Sequence, residues 1–429
     1  MFRVAQHALL SDCGAAALVT AAGSVDWLCL PRFDSPPLLG RLLDDAAGHF
    51  RIAPLGAAAA ESGWSARWRY RLPGLVLETT WSGPTGELVV VDAMALGPRE
   101  RGHELGHAAP GVLLRRVRCT RGSVPVQVEF VPRPEFGLVH PRLVAGSGAV
   151  IGHGGASIVV LSSDVDLDLD PATAGAYLSQ DVAEGLEWVF AVQQCDAWGP
   201  PPSPWTGRQI RRRLTSTEAT WRSWSRLHQR YDGPWRDLVH HSGVVLRGLT
   251  YVRSGAVVAA PTTSLPEGIG SGRTWDYRFT RVRDASMTMQ GPFIAACPDE
   301  AGPVLRVPGR AAATQLDRGG EEQRVPQVGV ADHAPAWMAP NTPAATSPAG
   351  TTSPVTLLPL LRIHPSSSTT TTLRYRATPG GDPDRSGIPS GTVEHPSSLA
   401  VRGLAAADRL PFVEAGANWL RSRAPTSVT

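Results

Sequence analysis

The chain has 429 residues, of which 42% are hydrophobic and 18% charged, with a formal net charge of +3. One core stops growing near roughly 250 to 300 residues, so more than one domain is expected. All 41 basic side chains are arginines. They interleave with carboxylates rather than cluster, which excludes the electrostatic footprint of nucleic-acid binding.

Cysteine usage and the N-terminus narrow the setting. Cys13, Cys29, Cys119, Cys195 and Cys297 are odd in number and widely spaced, with no CxxC. That argues against a disulfide framework or a cysteine zinc site and fits a reducing cytoplasm. Asp12 interrupts the early apolar run before it reaches signal-peptide length. No apolar window of about 18 residues occurs, so no membrane span is expected.

From residue 1 to about 200 the pattern is short alternating runs broken by Gly, Pro and Asp. "GLVLETTW", "ELVVVDAMAL", "SVPVQVEFV", "SIVVLSSDVDLDLD" and "LEWVFAVQ" read as antiparallel strands, and together as a large β-sandwich. Near residue 206 the period changes. "GRQIRRRLTSTEATWRSWSRLHQRY" places Ile210, Leu214, Trp221 and Leu227 at near-helical spacing, which predicts a connecting helix. A second helix is expected in "PWRDLVHHSGVVLRGLTYV", with Pro234 in its first turn and Leu238, Val245, Leu246 and Leu249 on an apolar stripe. Of the adjacent His240 and His241, one is expected to face solvent. From Gly291 onward come 18 prolines and low-complexity runs such as "HPSSSTTTTL". No ordinary helix survives that density, so the composition reads as a disordered tail, or as a GC-rich gene translated out of frame.

Two stretches carry candidate chemistry. "HELGH", residues 103–107, matches the H-E-x-x-H zincin pattern, in which two histidines one helical turn apart share a metal. Gly102, Gly106, Pro98 and Pro110 argue against a helix there, so a loop without metal is expected. The second is "SLPEGIGSGRTWDYRFTRVRDASMTM", residues 264–289. Flat aromatic faces that stack on pyranose rings, with Arg and carboxylate groups for adjacent hydroxyls, would make Trp275, Asp276, Tyr277, Arg278, Arg283 and Asp284 a sugar-binding wall. The competing reading is an amphipathic helix burying Phe279, Val282, Ser286 and Met289, with Arg and Asp as surface ion pairs.

Four segments, in order, resemble glycoside hydrolase family 15, the glucoamylases, glucodextranases and bacterial or mycobacterial-type trehalases. They are "LLSDCGAAALVTAAGSVDWLCLPRFDSPPLLGRLLDDAAGHFRIAP", "VEFVPRPEFG", "WRDLVHHSGVVLRGLTYVRSGAVVAAPTTSLPEGIG" and "RTWDYRFTRVRDASMTMQ". The last is similar to the highly specific segment R-N-W-D-Y-R-x-x-W-x-R-D-A, with Thr274 in place of the usual Asn and Arg281 in place of Trp. The resemblance implies an α+β multidomain chain. A trehalase-like N-terminal antiparallel β-sandwich (1–205) leads through a linker helix (206–233) into the first part of an (α/α)6 barrel (234–300). A low-complexity tail (301–429) follows, and the likeness stops at about residue 297, as in a truncated or frameshifted chain.

It further implies inverting hydrolysis of an α-glucosidic bond, with Arg283 and Asp284 holding glucose hydroxyls and Tyr277 against the ring. Trehalose is favoured over maltose or α-glucan because the opening segment looks closest to the mycobacterial-type trehalases. No cofactor is implied, and a homo-oligomer is compatible with this reading. Inversion needs two carboxyl groups about 6.5 to 9.5 Å apart. Neither family glutamate context is found around Glu300, Glu321, Glu322, Glu394 or Glu414. A twelve-helix barrel also needs about 300 to 360 residues, more than follow residue 234. The chain is therefore expected to be inactive, with a non-catalytic sandwich remnant as the alternative and a zinc peptidase as the remote one.

Overall fold

In the computed structural model of the protein, the alternating segments form fifteen antiparallel strands. They are β1 (His7–Ser11), β2 (Ala16–Thr20), β3 (Ser24–Cys29), β4 (Pro37–Leu39), β5 (His49–Pro54), β6 (Ser65–Tyr70), β7 (Val76–Gly83), β8 (Gly86–Met94), β9 (Leu113–Val131), β10 (Arg142–Gly146), β11 (Ala149–Gly154), β12 (Ser157–Ser163), β13 (Asp168–Asp170), β14 (Gly175–Ala183) and β15 (Glu187–Asp196). The structure describes residues 4–58, 62–266 and 274–280 and the single positions 288 and 291.

The sandwich is organised by β9, whose 19 residues are too many for one ordinary strand. Its first half pairs with β8 and β15, with Val117 opposite Val90 and Trp188. Its second half pairs with β5 and β14, with Phe130 opposite Phe50 and Ala176. One strand thus serves two layers, and it changes partners around Gly122. That residue has φ +72, and a Cβ there would lie 2.3 Å from the Thr85 carbonyl oxygen. One layer runs β1-β2-β3-β5 with β4, β13 and β14; the other holds β6-β7-β8 and β15-β12-β11-β10.

Inward side chains of both layers form the main core, including Leu28, Phe50, Val90, Phe130, Leu161 and Phe190. Phe50 meets Phe130 and Phe190 edge-on at 5.2 and 5.9 Å, a favoured geometry for aromatic quadrupoles. Arg115 ties the layers together from within this core. Its guanidinium pairs with Asp92 at 2.9 Å, both side chains fully buried, and donates to the carbonyls of Phe50 and Gly23.

Several strands are buried on both faces, and the helices explain why. Along β15, Trp188, Phe190 and Val192 enter the central core while Val189 and Ala191 face α1 (Gly207–His228). Thr206 and Gln209 form a reciprocal capping box that starts α1. Its buried stripe is Ile210, Leu214, Thr217, Trp221, Trp224 and His228. The expected Leu227 lies one position off that stripe and is 39% exposed.

α2 (Arg236–Gly248) follows, and here too the expected face is corrected. Gly243, Val244, Arg247 and Gly248 are buried, whereas Leu238 is exposed and Val245, Leu246 and Leu249 are half-buried. The reason is close approach: a Cβ on Gly248 would lie 2.5 Å from Leu75, and Ser11 Oγ donates to the Gly248 carbonyl at 2.6 Å. Buried Gly243 and Gly248 thus let the helix lie close to the sandwich, Val245 and Leu249 pack at the edge of that contact, and Leu238 is left exposed. Pro234 precedes the helix, whose cap, Trp235, is left-handed at φ +61. Neither expected solvent-facing histidine is exposed. His240 contacts the Tyr231 carbonyl at 3.0 Å, and the His241 ring packs 4.7 Å from Tyr70.

Last comes a short hairpin, β16 (Thr263–Pro266) and β17 (Thr274–Asp276). The remainder of the expected barrel and the Pro-rich tail fall on residues outside those described. No described helix is long and apolar enough to cross a membrane.

Candidate functional site

The outer face of β2 and β3 is the floor on which the candidate segment lies. Ala16, Leu18, Trp27 and Cys29 point outward here, opposite to the core-facing Ala17 and Leu28. Tyr251, Ala256 and Val258 cover Ala16 and Phe33, while Leu265 packs on Leu18, Trp27 and Cys29. Trp27 Nε1 donates to the Pro261 carbonyl at 2.7 Å, fixing the chain just before the hairpin.

β17 ends at Asp276 and the chain then bends at Arg278 and Phe279. Of the amphipathic-helix residues only Phe279 is described, and Val282, Ser286 and Met289 lie outside the described residues. Pairing continues past β17: Ala260 N donates to the Tyr277 carbonyl at 2.9 Å, Tyr277 N to Thr262 at 3.3 Å and Ala259 N to Phe279 at 3.3 Å. Arg278 and Thr280 are buried, only 6% and 5% exposed, whereas Trp275 is 47% exposed and Asp276, Tyr277 and Phe279 are half-buried. The polar Arg278 thus lies deeper than the aromatic Trp275.

Arg278 accounts for the buried side. Its Nε lies 2.9 Å from Asp276 Oδ1 and its Nη2 2.7 Å from Oδ2, while Nη1 donates to the Ser35 carbonyl at 2.7 Å. Burial opposes the guanidinium charge, but the hydrogen bonds and charge of Asp276 together with the contact to Cys29 outweigh it and hold the Arg278 pKa above its ordinary value. Nearby Cys29 is wholly buried, and that burial pushes its thiol up to about 12, so the sulfur stays protonated. The structure thus brings together Trp275, Asp276, Tyr277 and Arg278. Arg283 and Asp284 lie outside the described residues.

Reading from residue types alone missed Phe136. Its ring, 39% exposed, lies 5.9 Å from the Arg278 Cζ, presented by the loop after β9. The only sequence signal for it was its place in the "VEFVPRPEFG" segment.

"HELGH" has a structural part to play. Gly102–Glu104 make a single 3-10 turn, and Leu105 (ψ 118) and Gly106 (φ +90) then leave helical geometry. His103 packs edge-on against the His228 ring at 4.5 Å. Buried Glu100 accepts from the backbone N–H groups of Gly97 (2.9 Å), Gly106 (3.0 Å) and Ala108, and Arg247 Nη2 donates to the Leu105 carbonyl at 2.6 Å. Among the described residues, no group of three or more His, Cys, Asp or Glu could hold a metal ion.

Comparison with known proteins assigns the two parts of the chain. Residues 1–184 match the family described as trehalase-like, N-terminal, and residues 234–296 match glycosyl hydrolases family 15. Over these segments the chain belongs to glycoside hydrolase family 15. The family 15 match includes Trp275 to Asp284 and ends where the likeness was lost in the sequence. Three relatives, all named as trehalases, are similar. That of Mycolicibacterium smegmatis is 36% identical, covering 70% of this chain and 46% of the relative. That of Mycobacterium tuberculosis is 34% identical, over 70% and 45%. Trehalase 1 of Sulfolobus acidocaldarius is 33% identical, over 66% and 44%. The chain spans about half the length of the curated relatives it matches.

Proposed function

We propose that this chain carries the glucose-holding wall of a family 15 α-glucosidase of the trehalase kind, and that it binds its sugar without cleaving it. The observation that supports this is the placement of Trp275 in β17: its indole is 47% exposed beside a buried Arg278, and a flat exposed aromatic face is what a pyranose ring stacks on. Arg283 and Asp284, four and five residues beyond Phe279, are the groups proposed to take the hydroxyls. Trehalose is the favoured ligand because the similar relatives are named for it. In the intact enzyme the reaction is hydrolysis with inversion, which needs one protonated and one ionised carboxyl group on opposite sides of the bond. This sequence offers neither glutamate in its family context.

Calorimetric titration of trehalose and an assay of glucose release test the two halves of the proposal. Saturable binding that Trp275→Ala weakens about ten-fold, as loss of one aromatic stacking partner would do, together with no glucose released, is the expected result. Absence of binding by folded protein would leave the non-catalytic sandwich remnant as the reading. Glucose release would overturn the assignment of inactivity.

A further inference from the structure

We infer that Arg278 is the positioning residue of the sugar site: it latches the hairpin strand onto the sandwich so that Trp275 is held facing outward. This rests on the reading of that aromatic face as a glucose wall. The receptor for the guanidinium is made wholly by the sandwich. The Ser35 carbonyl accepts from Nη1 at 2.7 Å, Cys29 Sγ lies 4.0 Å from the same nitrogen, and the Phe136 ring centre is 5.9 Å from Cζ. Asp276 occupies the opposite edge of the guanidinium.

The receptor is rigidly built. Glu135, Phe136 and Gly137 are consecutive left-handed residues at φ +56, +62 and +90, a conformation that bulky side chains rarely adopt. Surrounding bonds impose it. The Glu135 carboxylate accepts from Ala156 N at 2.9 Å, Gly137 N donates to the Arg133 carbonyl at 3.2 Å, and the Arg133 guanidinium donates to the carbonyls of Pro132 (2.7 Å), Thr173 and Ala174 (3.2 Å). An aromatic side chain is thereby fixed beneath Arg278.

Geometry separates this role from direct sugar contact. Each guanidinium nitrogen already has a protein partner, and Arg278 is buried where Trp275 is 47% exposed. A planar fork can bridge a carboxylate on one edge and a carbonyl on the other; an ammonium cannot do both.

The test uses full-length Arg278→Met and Arg278→Lys. Hydrogen exchange is read at the amides of Ala259, Ala260 and Tyr277, which carry the strand pairing, and trehalose affinity is read by calorimetry. In Arg278→Met the three amides are expected to exchange about ten-fold faster while β9 and β15 keep their protection, and affinity is expected to fall about ten-fold, as loss of buried charge-assisted bonds implies. Lysine should restore part of each. Should the methionine variant fail to fold, Arg278→Lys carries both readouts. Lost affinity with unchanged amides would make Arg278 a sugar contact and overturn the latch. Loosened amides with unchanged affinity would also overturn it as a positioning residue. Without trehalose binding by the unaltered chain, the glucose-wall reading fails, while unchanged amides in Arg278→Met would refute the latch independently.

Discussion

Asp12 sits wholly buried in the turn between β1 and β2, its Oδ1 accepting from Gly14 N at 2.9 Å and Ala15 N at 2.7 Å. Burial pushes its pKa to about 6 and the nearby Glu100 charge adds to that, against the two backbone N–H groups that favour ionisation. The folded value is therefore above the unfolded value of about 3.9. Stability from this group is complete below the unfolded pKa and is lost as pH rises through the folded one. Asp12→Asn keeps the Oδ1 acceptor and removes the titration. The difference in Tm between wild type and variant should therefore change between about pH 4 and pH 7 in the direction of wild-type loss, and be flat above. Thermal unfolding across that range, with both proteins in the same buffers, checks it; a constant difference would show that Asp12 does not titrate there.

At the scale of elements, the contact between α1 and the sandwich is set by Gly74, just before β7. A Cβ there would lie 2.7 Å from Trp221 Cβ and 2.8 Å from Cγ, on the near end of a large buried side chain that cannot swing aside. Gly74→Ala should destabilise the fold by about 1–3 kcal/mol through overpacking. Chemical denaturation with an unchanged m-value would confirm it, and a neutral result would mean that α1 shifts without cost. Contacts of this kind also decide what the sequence could show. Period-two runs made the strands legible, and the stripe Ile210, Leu214 and Trp221 made α1 legible, because burial on one face leaves a periodic trace. The stripe of α2 misled because glycines mediate its packing and leave no apolar mark. At the candidate site the strand ends at Asp276 and the chain bends at Arg278 and Phe279, and a stretch without a regular period leaves no trace of which side chains are buried. The partners of Arg278 could not be read at all, since Ser35 and Phe136 are brought to it by chain reversals far apart in sequence.

At the scale of the molecule, the described hydrophobic clusters close upon themselves. The inter-layer core draws its buried side chains from Ala8 to Val192. Each layer has its inner face filled by the other, while α1 packs outside β8, β9 and β15 and the segment after α2 lies outside β2 and β3. A core so built should not depend on residues 301–429 for its cooperativity, even though this chain spans only about half the length of the relatives it matches. A chain ending at residue 300 should consequently unfold within about 2 °C of the full chain, a shift that corresponds to about 1 kcal/mol for a domain of this size. Calorimetry of the two proteins, followed at the tryptophans of α1 and β3 by fluorescence, checks the expectation. A fall of more than about 5 °C would mean that residues beyond 300 supply folding energy to the sandwich.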